Sequence, residues 1–300
     1  MRALIEQVRR FAATDANVLV SGETGTGKNA VARELHARGP RAKQPFVTID
    51  CPSLHASLID SELFGHERGA FTDAVTARLG RFERAGAGTV YLDAVTELSV
   101  EAQGKLLRIV EDKRVERLGG HTTVAIAARI VASADATIEQ DVRAGTFRGD
   151  LYHRLRVLPL LLPPLRERTD DVLPLARYFL GRAALLAGRA LPEIGRDAAA
   201  ALTDYAWPGN VRELRHAVER AVQNAAGPTI TLADLPSDVL EAPSVKDGAA
   251  LARRPTLEEI ERRYIAATLA HVRGNQTQAA RLLGISRKAL WEKRRRYGFD

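Results

Sequence analysis

Cysteine is almost missing from this chain: Cys51 is the only one in 300 residues. A single thiol excludes an intramolecular disulfide and a cysteine-built zinc site, and a reducing, cytoplasmic setting is expected. Long apolar runs are missing as well. The most apolar stretch, 157–165, is short and interrupted by Pro159, Pro163 and Pro164. A membrane-spanning helix needs about 18 apolar residues, so no membrane association is expected. Arg9, Arg10 and Asp15 fall where an export signal would carry its apolar segment, so export is not expected either. What is present is ordinary for a globular protein: 45% hydrophobic and 27% charged residues. That balance argues against wholesale disorder, and the length suffices for two or three domains with a sizeable core.

The formal net charge is +7, and its placement matters more than its size. Between 281 and 297 lie Arg281, Arg287, Lys288, Lys293, Arg294, Arg295 and Arg296, opposed only by Glu292. The remainder is close to neutral. A basic segment confined to one end points to a nucleic-acid module attached to something else, with a merely solvated helix end as the competing explanation.

Strand-like segments at 18–20, 46–49, 89–92 and 125–132 alternate with helix-like ones, notably 29–38 and 100–112. This alternation predicts an α/β fold with a parallel sheet flanked by helices. After Pro164 the strand signals stop. Helices are expected at 171–187, 196–205 and 210–224, the last opened by Pro208-Gly209 with Asn210 as cap and Glu213 completing a capping box. This reads as a small all-helical unit ending near Leu240. Residues 241–255 carry Pro243, Gly248 and Pro255 without periodicity and read as a linker. Three further helices follow: one opened by Thr256 and Glu259, one by Asn275 and Gln278, and, after a break at Gly284, one capped by Ser286. The expected division is 1–166, 167–240, a linker at 241–255, and 256–300.

Gly22-Glu23-Thr24-Gly25-Thr26-Gly27-Lys28 fits the phosphate-loop pattern, with a strand before it and a helix after it. Its glycines let backbone N–H groups turn inward around phosphate oxygens, and the helix start adds a positive dipole end. Lys28 can reach the terminal phosphates. The usual next residue is a hydroxyl ligand for magnesium, and here it is Asn29. Asp93, at the end of the 89–92 strand, is placed to hold the metal through its water shell.

At these motifs the sequence resembles a known family almost throughout: the bacterial enhancer-binding proteins, NtrC-like activators of sigma-54 RNA polymerase. The resemblance covers GETGTGK at 22–28, DSELFGHERGAFTDA at 60–74, GTVYLD at 88–93, QGKLLRIVED at 103–112, GTFRGDLYHRL at 145–155, PPLRERTDD at 163–171 and WPGNVREL at 207–214. It implies an AAA+ P-loop NTPase with a helical lid and a Fis-type helix-turn-helix. Gly22, Glu23, Thr24, Gly25, Thr26, Gly27, Lys28 and Asn29 would then bind ATP, with Mg2+ at Asp93 and Asn29. Arg148 and Arg154 match arginine fingers that reach the γ-phosphate bound in a neighbouring subunit. Arg212 matches the arginine that reports nucleotide state to the lid. Gly69, Ala70, Phe71, Thr72, Asp73 and Ala74 match the loop that touches sigma-54. The resemblance further implies a homo-oligomer, from dimer to hexameric ring, and double-stranded DNA as partner. In the C-terminal module, Ser286, Arg287, Lys288, Trp291, Lys293 and Arg294 are the DNA-binding candidates.

Departures from the family cluster at the chemistry. Ala94 stands where the family carries the glutamate that activates the attacking water, which implies weak or absent ATP hydrolysis. Asp50 replaces the asparagine that holds that glutamate, and is one candidate to supply the missing carboxylate. Asp135 occupies the first sensor position, usually Asn or His. Asp73 stands for a glycine in the sigma-54 loop, and Gly149 for an acidic residue beside Arg148. Neither the adenine-wrapping segment ahead of Arg2 nor a receiver domain is expected. An alternative is a hydrolysis-deficient DNA-bound regulator or repressor that does not act through sigma-54. His66, His153 and Cys51 are expected to be structural, and Trp291 to pack on the preceding helix.

Overall fold

The computed structural model describes residues 2–53, 59–71, 74–241, 257–271 and 275–297. They form two units, the larger ending at Leu240 and the smaller beginning at Glu241.

The larger unit is built on five parallel strands: β1 (Val18–Ser21), β2 (Phe46–Asp50), β3 (Thr89–Asp93), β4 (Arg129–Ala134) and β5 (Leu158–Leu161). Their order across the sheet is β2-β3-β4-β1-β5, every pair parallel. Alternate side chains serve opposite layers, as the two-residue period of a strand requires. Leu19, Val90, Leu92, Ile130 and Ala132 join one core with Phe82, Leu106, Phe147 and Leu151. Val18, Val20, Tyr91, Val131 and Leu160 join the other with Val8, Ala12 and Leu35. Both faces are therefore covered, which is why the strands read as continuous apolar runs. Arg129 is the charged residue buried on these strands. Its guanidinium donates to the carbonyls of Phe11, Ala12 and Ala16 and closes the end of α1 (Arg2–Ala12).

Two expectations need correction here. The 125–132 segment is not one strand. Thr123–Ala125 pairs antiparallel with Arg114–Glu116 as a separate hairpin, and β4 begins only at Arg129. The proline-broken 157–165 stretch contains β5, for which the sequence pattern gives no strand signal. β5 is an edge strand paired only with β1, where proline is tolerated.

The helices of this unit are α2 (Lys28–Ala37), α3 (Ile59–Phe64), α4 (Arg81–Ala85), α5 (Val100–Asp112), α6 (Ile138–Ala144) and α7 (Gly149–Leu155). The lid follows with α8 (Val172–Leu186), α9 (Arg196–Asp204), α10 (Asn210–Asn224) and α11 (Ser237–Glu241). It also holds one short parallel pairing, Glu193–Ile194 against Thr229–Ile230, that the helical reading lacked. α8 and α10 pack through Val172, Ala176, Leu180 and Ala184 on one side and Leu214, Ala217, Val218 and Ala221 on the other. The expected cap on α10 is different in detail. Glu213 Oε2 does accept from the Gly209 N–H at 2.7 Å, but the Asn210 side chain leaves the helix altogether.

The smaller unit holds α12 (Leu257–His271), α13 (Gln276–Leu282) and α14 (Arg287–Tyr297). Ile265, Ala279, Ala280 and Leu290 form its core. Asn275 caps α13 through the Gln278 N–H, Gly284 makes the turn at φ +67°, and Ser286 Oγ accepts from the Ala289 N–H at 3.1 Å. Thr256 and the 242–255 stretch lie outside the described residues, so the expected cap at Thr256 and most of the expected linker do too.

Candidate functional site

The phosphate loop connects β1 to α2, at the carboxyl ends of the strands where parallel sheets place their ligand sites. Gly27 precedes α2 at φ +107°, and no side chain caps the helix. The first N–H groups of α2 therefore face the loop without intrahelical acceptors, a ready anion cradle. Gly25, at φ +81°, is required for a second reason: a Cβ there would lie 2.3 Å from the Gly209 carbonyl oxygen. Thr26 is buried and its hydroxyl donates to the Glu23 carbonyl at 2.7 Å.

Lys28 Nζ donates to the Gly22 carbonyl and, at 3.0 Å, to Asp135 Oδ1. Asp135 follows β4, so the ion pair joins the phosphate loop to the strand that neighbours β1 in the sheet. Asp50 and Asp93 stand opposite each other at the ends of β2 and β3. Asp93 Oδ1 accepts from Tyr91 Oη at 2.8 Å and Ser133 Oγ at 2.6 Å. Ser133 Oγ in turn accepts from the Ala94 N–H at 2.9 Å. Ala94 is held at φ 53°, ψ 58°, a left-handed conformation. The local field is negative: burial, then the Asp93 and Asp50 charges, push the Cys51 thiol up to about 12. Burial also raises Tyr91 above the usual phenol range, and Asp93 adds to it. Asn29 Oδ1 accepts from Arg33 Nε at 3.1 Å.

A cavity of about 490 Å³ opens over these groups, and Lys28, Asn29, Asp50, Asp93, Ala94, Glu97, Asp135 and Arg212 line it. Its size lies within the ~300–1,000 Å³ of small-molecule sites. Among the described residues no group of three or more His, Cys, Asp or Glu is arranged to hold a metal. The donors present are hard oxygens, which fit a cation that enters with phosphates and keeps its waters.

The lid closes over the loop through residues to which the sequence assigned other roles or none. Glu23 does not turn its carboxylate to the cradle; it receives Arg166 Nη1 and Nη2 at 2.8 and 2.6 Å. This neighbour, and the Asn210 amide, hold its carboxyl below the usual range. Asn210 is fully buried at φ +54°. It accepts from the Leu165 N–H and donates to Glu23 Oε2 and the Thr24 carbonyl. Arg168 Nη2 donates to the Thr26 carbonyl at 2.7 Å, and the Val211 N–H to the Gly25 carbonyl at 2.9 Å. The visible signal for these residues was the pair of lid motifs, PPLRERTDD and WPGNVREL.

Arg148 and Arg154 do not line this cavity in their own chain. Arg148 precedes α7 and pairs with Asp150 at 2.8 Å, which holds the Asp150 carboxyl low. Arg154 pairs with Glu111 at 2.8 Å. Gln103, to which no sequence signal gave a role, is buried and pins the approach to α7. It donates to the carbonyls of Leu98 and Thr146 and accepts from the Arg148 N–H.

Gly69, Ala70, Phe71 and Ala74 lie between the two arms of a hairpin stem in which Gly65 and His66 face Leu79 and Arg78. Gly69 N–H donates to the Ala74 carbonyl and Ala74 N–H to that of Phe71, both at 2.9 Å. Ala70 touches the second hairpin, since a Cβ on Gly119 would lie 2.8 Å from its Cβ. Arg117 ties the two together through Glu67 and Glu83. His66 is structural, bonded to Ser61 Oγ and the Thr76 carbonyl. Phe71 is 37% exposed with its ring 5.0 Å from His66. Thr72 and Asp73 lie outside the described residues. His153 is exposed beside the Tyr152 ring rather than packed in, and Cys51 is buried as expected.

In the smaller unit, Ser286, Arg287 and Lys288 lie exposed at the start of α14. Trp291 is 54% exposed under the Arg295 guanidinium, not packed on the preceding helix as expected. Lys293 pairs with Glu261 and Arg296 with Glu258, both on α12. Arg294 is half-buried on the same helix as Lys293.

A parallel five-stranded sheet, a phosphate loop after its first strand and a helical lid bonded to that loop define a P-loop NTPase domain of the AAA+ type. The chain belongs to the sigma-54 interaction domain family, whose profile matches residues 1–161. An AAA+ ATPase lid domain matches 166–251, and the Fis family of bacterial regulatory proteins matches 256–297. The chain is 44% identical to the regulatory protein AtoC of Escherichia coli, over all of this chain and 66% of the relative. It is 44% identical to the transcriptional regulatory protein ZraR of Klebsiella oxytoca, over 98% of this chain and 66% of the relative. NtrX from Brucella abortus, solved in complex with ADP, superposes with a TM-score of 0.74 at 34% identity, covering 99% of this chain and 68% of that one. Its complex with ATP gives 0.73 at 34% identity, with 99% and 67% covered. The chain thus spans about two thirds of the length of the curated relatives it matches.

Proposed function

We propose that this chain is an ATP-binding transcriptional regulator of the sigma-54 activator type. It binds double-stranded DNA through the 256–300 module and couples the nucleotide state of its 1–166 and 167–240 domains to sigma-54 RNA polymerase. Residues 241–255 link the two parts. The observation that carries the nucleotide reading is the phosphate loop itself: an uncapped helix start behind Gly25 and Gly27, held from the lid side by Arg166, Arg168 and Asn210. The solved NtrX complexes with ADP and ATP support the same ligand class.

Gly22 to Asn29 would hold the phosphates, Arg212 would meet them from the lid, and Asp93 with Asn29 would hold magnesium through water. Magnesium would neutralise phosphate charge. Arg148 and Arg154, which do not line their own chain's cavity, would serve a neighbouring subunit in a ring. Phe71, at the exposed tip of the hairpin, would meet sigma-54 together with Gly69, Ala70 and the following Thr72, Asp73 and Ala74. The setting is cytoplasmic. Ala94 removes the usual water-activating carboxylate, so ATP turnover is slow, and Asp50, which pairs in register with Asp93, is the candidate to replace it.

The test combines equilibrium ATP binding with open-complex formation by sigma-54 polymerase on a promoter of the −24/−12 class. ATP binding with promoter opening that disappears in Phe71→Ala is the expected result. ATP binding without any effect on that promoter would leave a DNA-bound regulator that works without sigma-54. Failure to bind ATP would remove the reading.

A further inference from the structure

Lys28 is only 10% exposed at its side chain, and its ammonium is already committed to two backbone carbonyls and to Asp135. Asp135, 47% exposed, holds its carboxylate oxygen 3.0 Å from that ammonium. Three more carboxylate residues, Asp50, Asp93 and Glu97, line the same cavity. A phosphate loop divides its labour: backbone amides take the inner phosphates, and the lysine reaches the outermost. Here the first amides of α2, from Lys28 onward, lack intrahelical acceptors and can serve a diphosphate. A third phosphoryl group would extend toward Lys28, where much of the attraction is cancelled by Asp135 3.0 Å away and where its own charge meets a carboxylate.

We infer that Asp135 makes this site discriminate against nucleoside triphosphate in favour of nucleoside diphosphate, unless a divalent cation screens the outermost phosphate from the carboxylate. The inference rests on the nucleotide-binding reading above and assigns Asp135 a specificity role within it. Neutral asparagine at 135 would keep a hydrogen-bonding side chain of the same size while removing the charge. The chain's own default in low magnesium is then the diphosphate-held form, and magnesium availability sets how readily the triphosphate enters.

The experiment measures ADP and ATP affinity by calorimetric titration of the full chain, in EDTA and in excess Mg2+, for the natural sequence and Asp135→Asn. In EDTA, ADP is expected to bind at least about tenfold more tightly than ATP, as like-charge repulsion in a partly screened site requires. Asp135→Asn should shrink that ratio at least about fivefold, chiefly by tightening ATP. Mg2+ should do the same to the natural chain, and high salt should weaken the effect because Asp135 is half exposed. Asp135→Ser, which also removes the charge, guards against a fold defect in one variant. A ratio near one, or one unchanged by both substitutions, overturns the inference while leaving nucleotide binding intact. Binding of neither nucleotide overturns both.

Discussion

Glu23 and Arg166 stand 143 positions apart in the chain and meet through two parallel hydrogen bonds of 2.6 and 2.8 Å. One belongs to the phosphate loop and the other to the start of the lid. Because both are partly exposed, the pair itself contributes no more than about 1 kcal/mol. Its weight is geometric: a planar fork fixes the loop's outer turn against the segment that leads into α8.

Asn210 carries more of that coupling, since it is buried and bonded on both sides of the junction. Asn210→Ala leaves the buried Leu165 N–H without its 2.8 Å acceptor and removes two donors to the loop. A loss of about 2–3 kcal/mol is expected. Urea unfolding followed by the fluorescence of buried Trp207 measures it. A change below about half a kcal/mol, the range of an inert surface substitution, would mean the lid does not depend on this residue.

Ala94→Glu is expected to raise phosphate release from Mg-ATP by at least about tenfold, on the scale of a restored general base. Ala94 already sits in a left-handed conformation, so the backbone strain is shared by both residues. Ala94→Gly is the control: it relieves that strain and should leave turnover where it was. Equal gains in both variants would assign the slow step to backbone strain instead of a missing carboxylate.

Charges on α14 divide into two kinds. Arg287→Ala and Lys288→Ala, at exposed positions, are expected to weaken DNA binding and to lower the slope of log affinity against log salt by about 0.9 for each phosphate no longer neutralised. Lys293→Ala breaks the pairing to Glu261 on α12 and should lower the melting temperature of the three-helix unit. Binding isotherms at several salt concentrations, beside thermal melts, separate the two.

His36 gives the larger unit a pH dependence. Its ring lies 5.2 Å from Phe46, and Nδ1 is 2.9 Å from Thr89 Oγ1. Burial, with a smaller push from the Arg129 charge, lowers its pKa below the ordinary 6.5. A lowered folded-state pKa means the unfolded chain takes up the proton first as pH falls. The stabilisation is complete above about pH 6.5 and is lost progressively below it, toward the folded-state pKa. Melting temperatures at about pH 7.5 and about pH 5.5, above and below the ordinary imidazole value, should differ more for the natural chain than for His36→Gln. Equal differences would show that other groups govern the acid limb.

The phosphate loop was legible in the sequence because its parts are contiguous and its chemistry is backbone chemistry, so spacing alone carries it. The partners that hold it were not. Asn210 looks like a helix cap when read with its neighbours, and only the folded chain brings it to Glu23, 187 positions away. Ser133, inside an apolar strand, and Gln103, on the amphipathic α5, are similar cases: the purpose of each lies in hydrogen bonds to residues about 40 positions distant. Local periodicity found β1, β2 and β3, whose ends match to within a residue. It failed at β4 and β5, where a hairpin and a proline interrupt the pattern. Trp291 departs from expectation because a large ring on a helix is usually buried, whereas here a neighbouring guanidinium covers one of its faces.

Pro159 in β5 has a consequence for the open edge of the sheet. Leu158 and Leu162 turn their N–H groups inward, to the carbonyls of Asn17 and Ser21, so position 159 faces outward with no N–H to give. The proline costs the ladder nothing and blanks one donor on the rim that would otherwise invite another backbone. Strand-to-strand growth is discouraged on that flank. That rim is left to side-chain contacts, which are easily undone, as continuous backbone pairing is not.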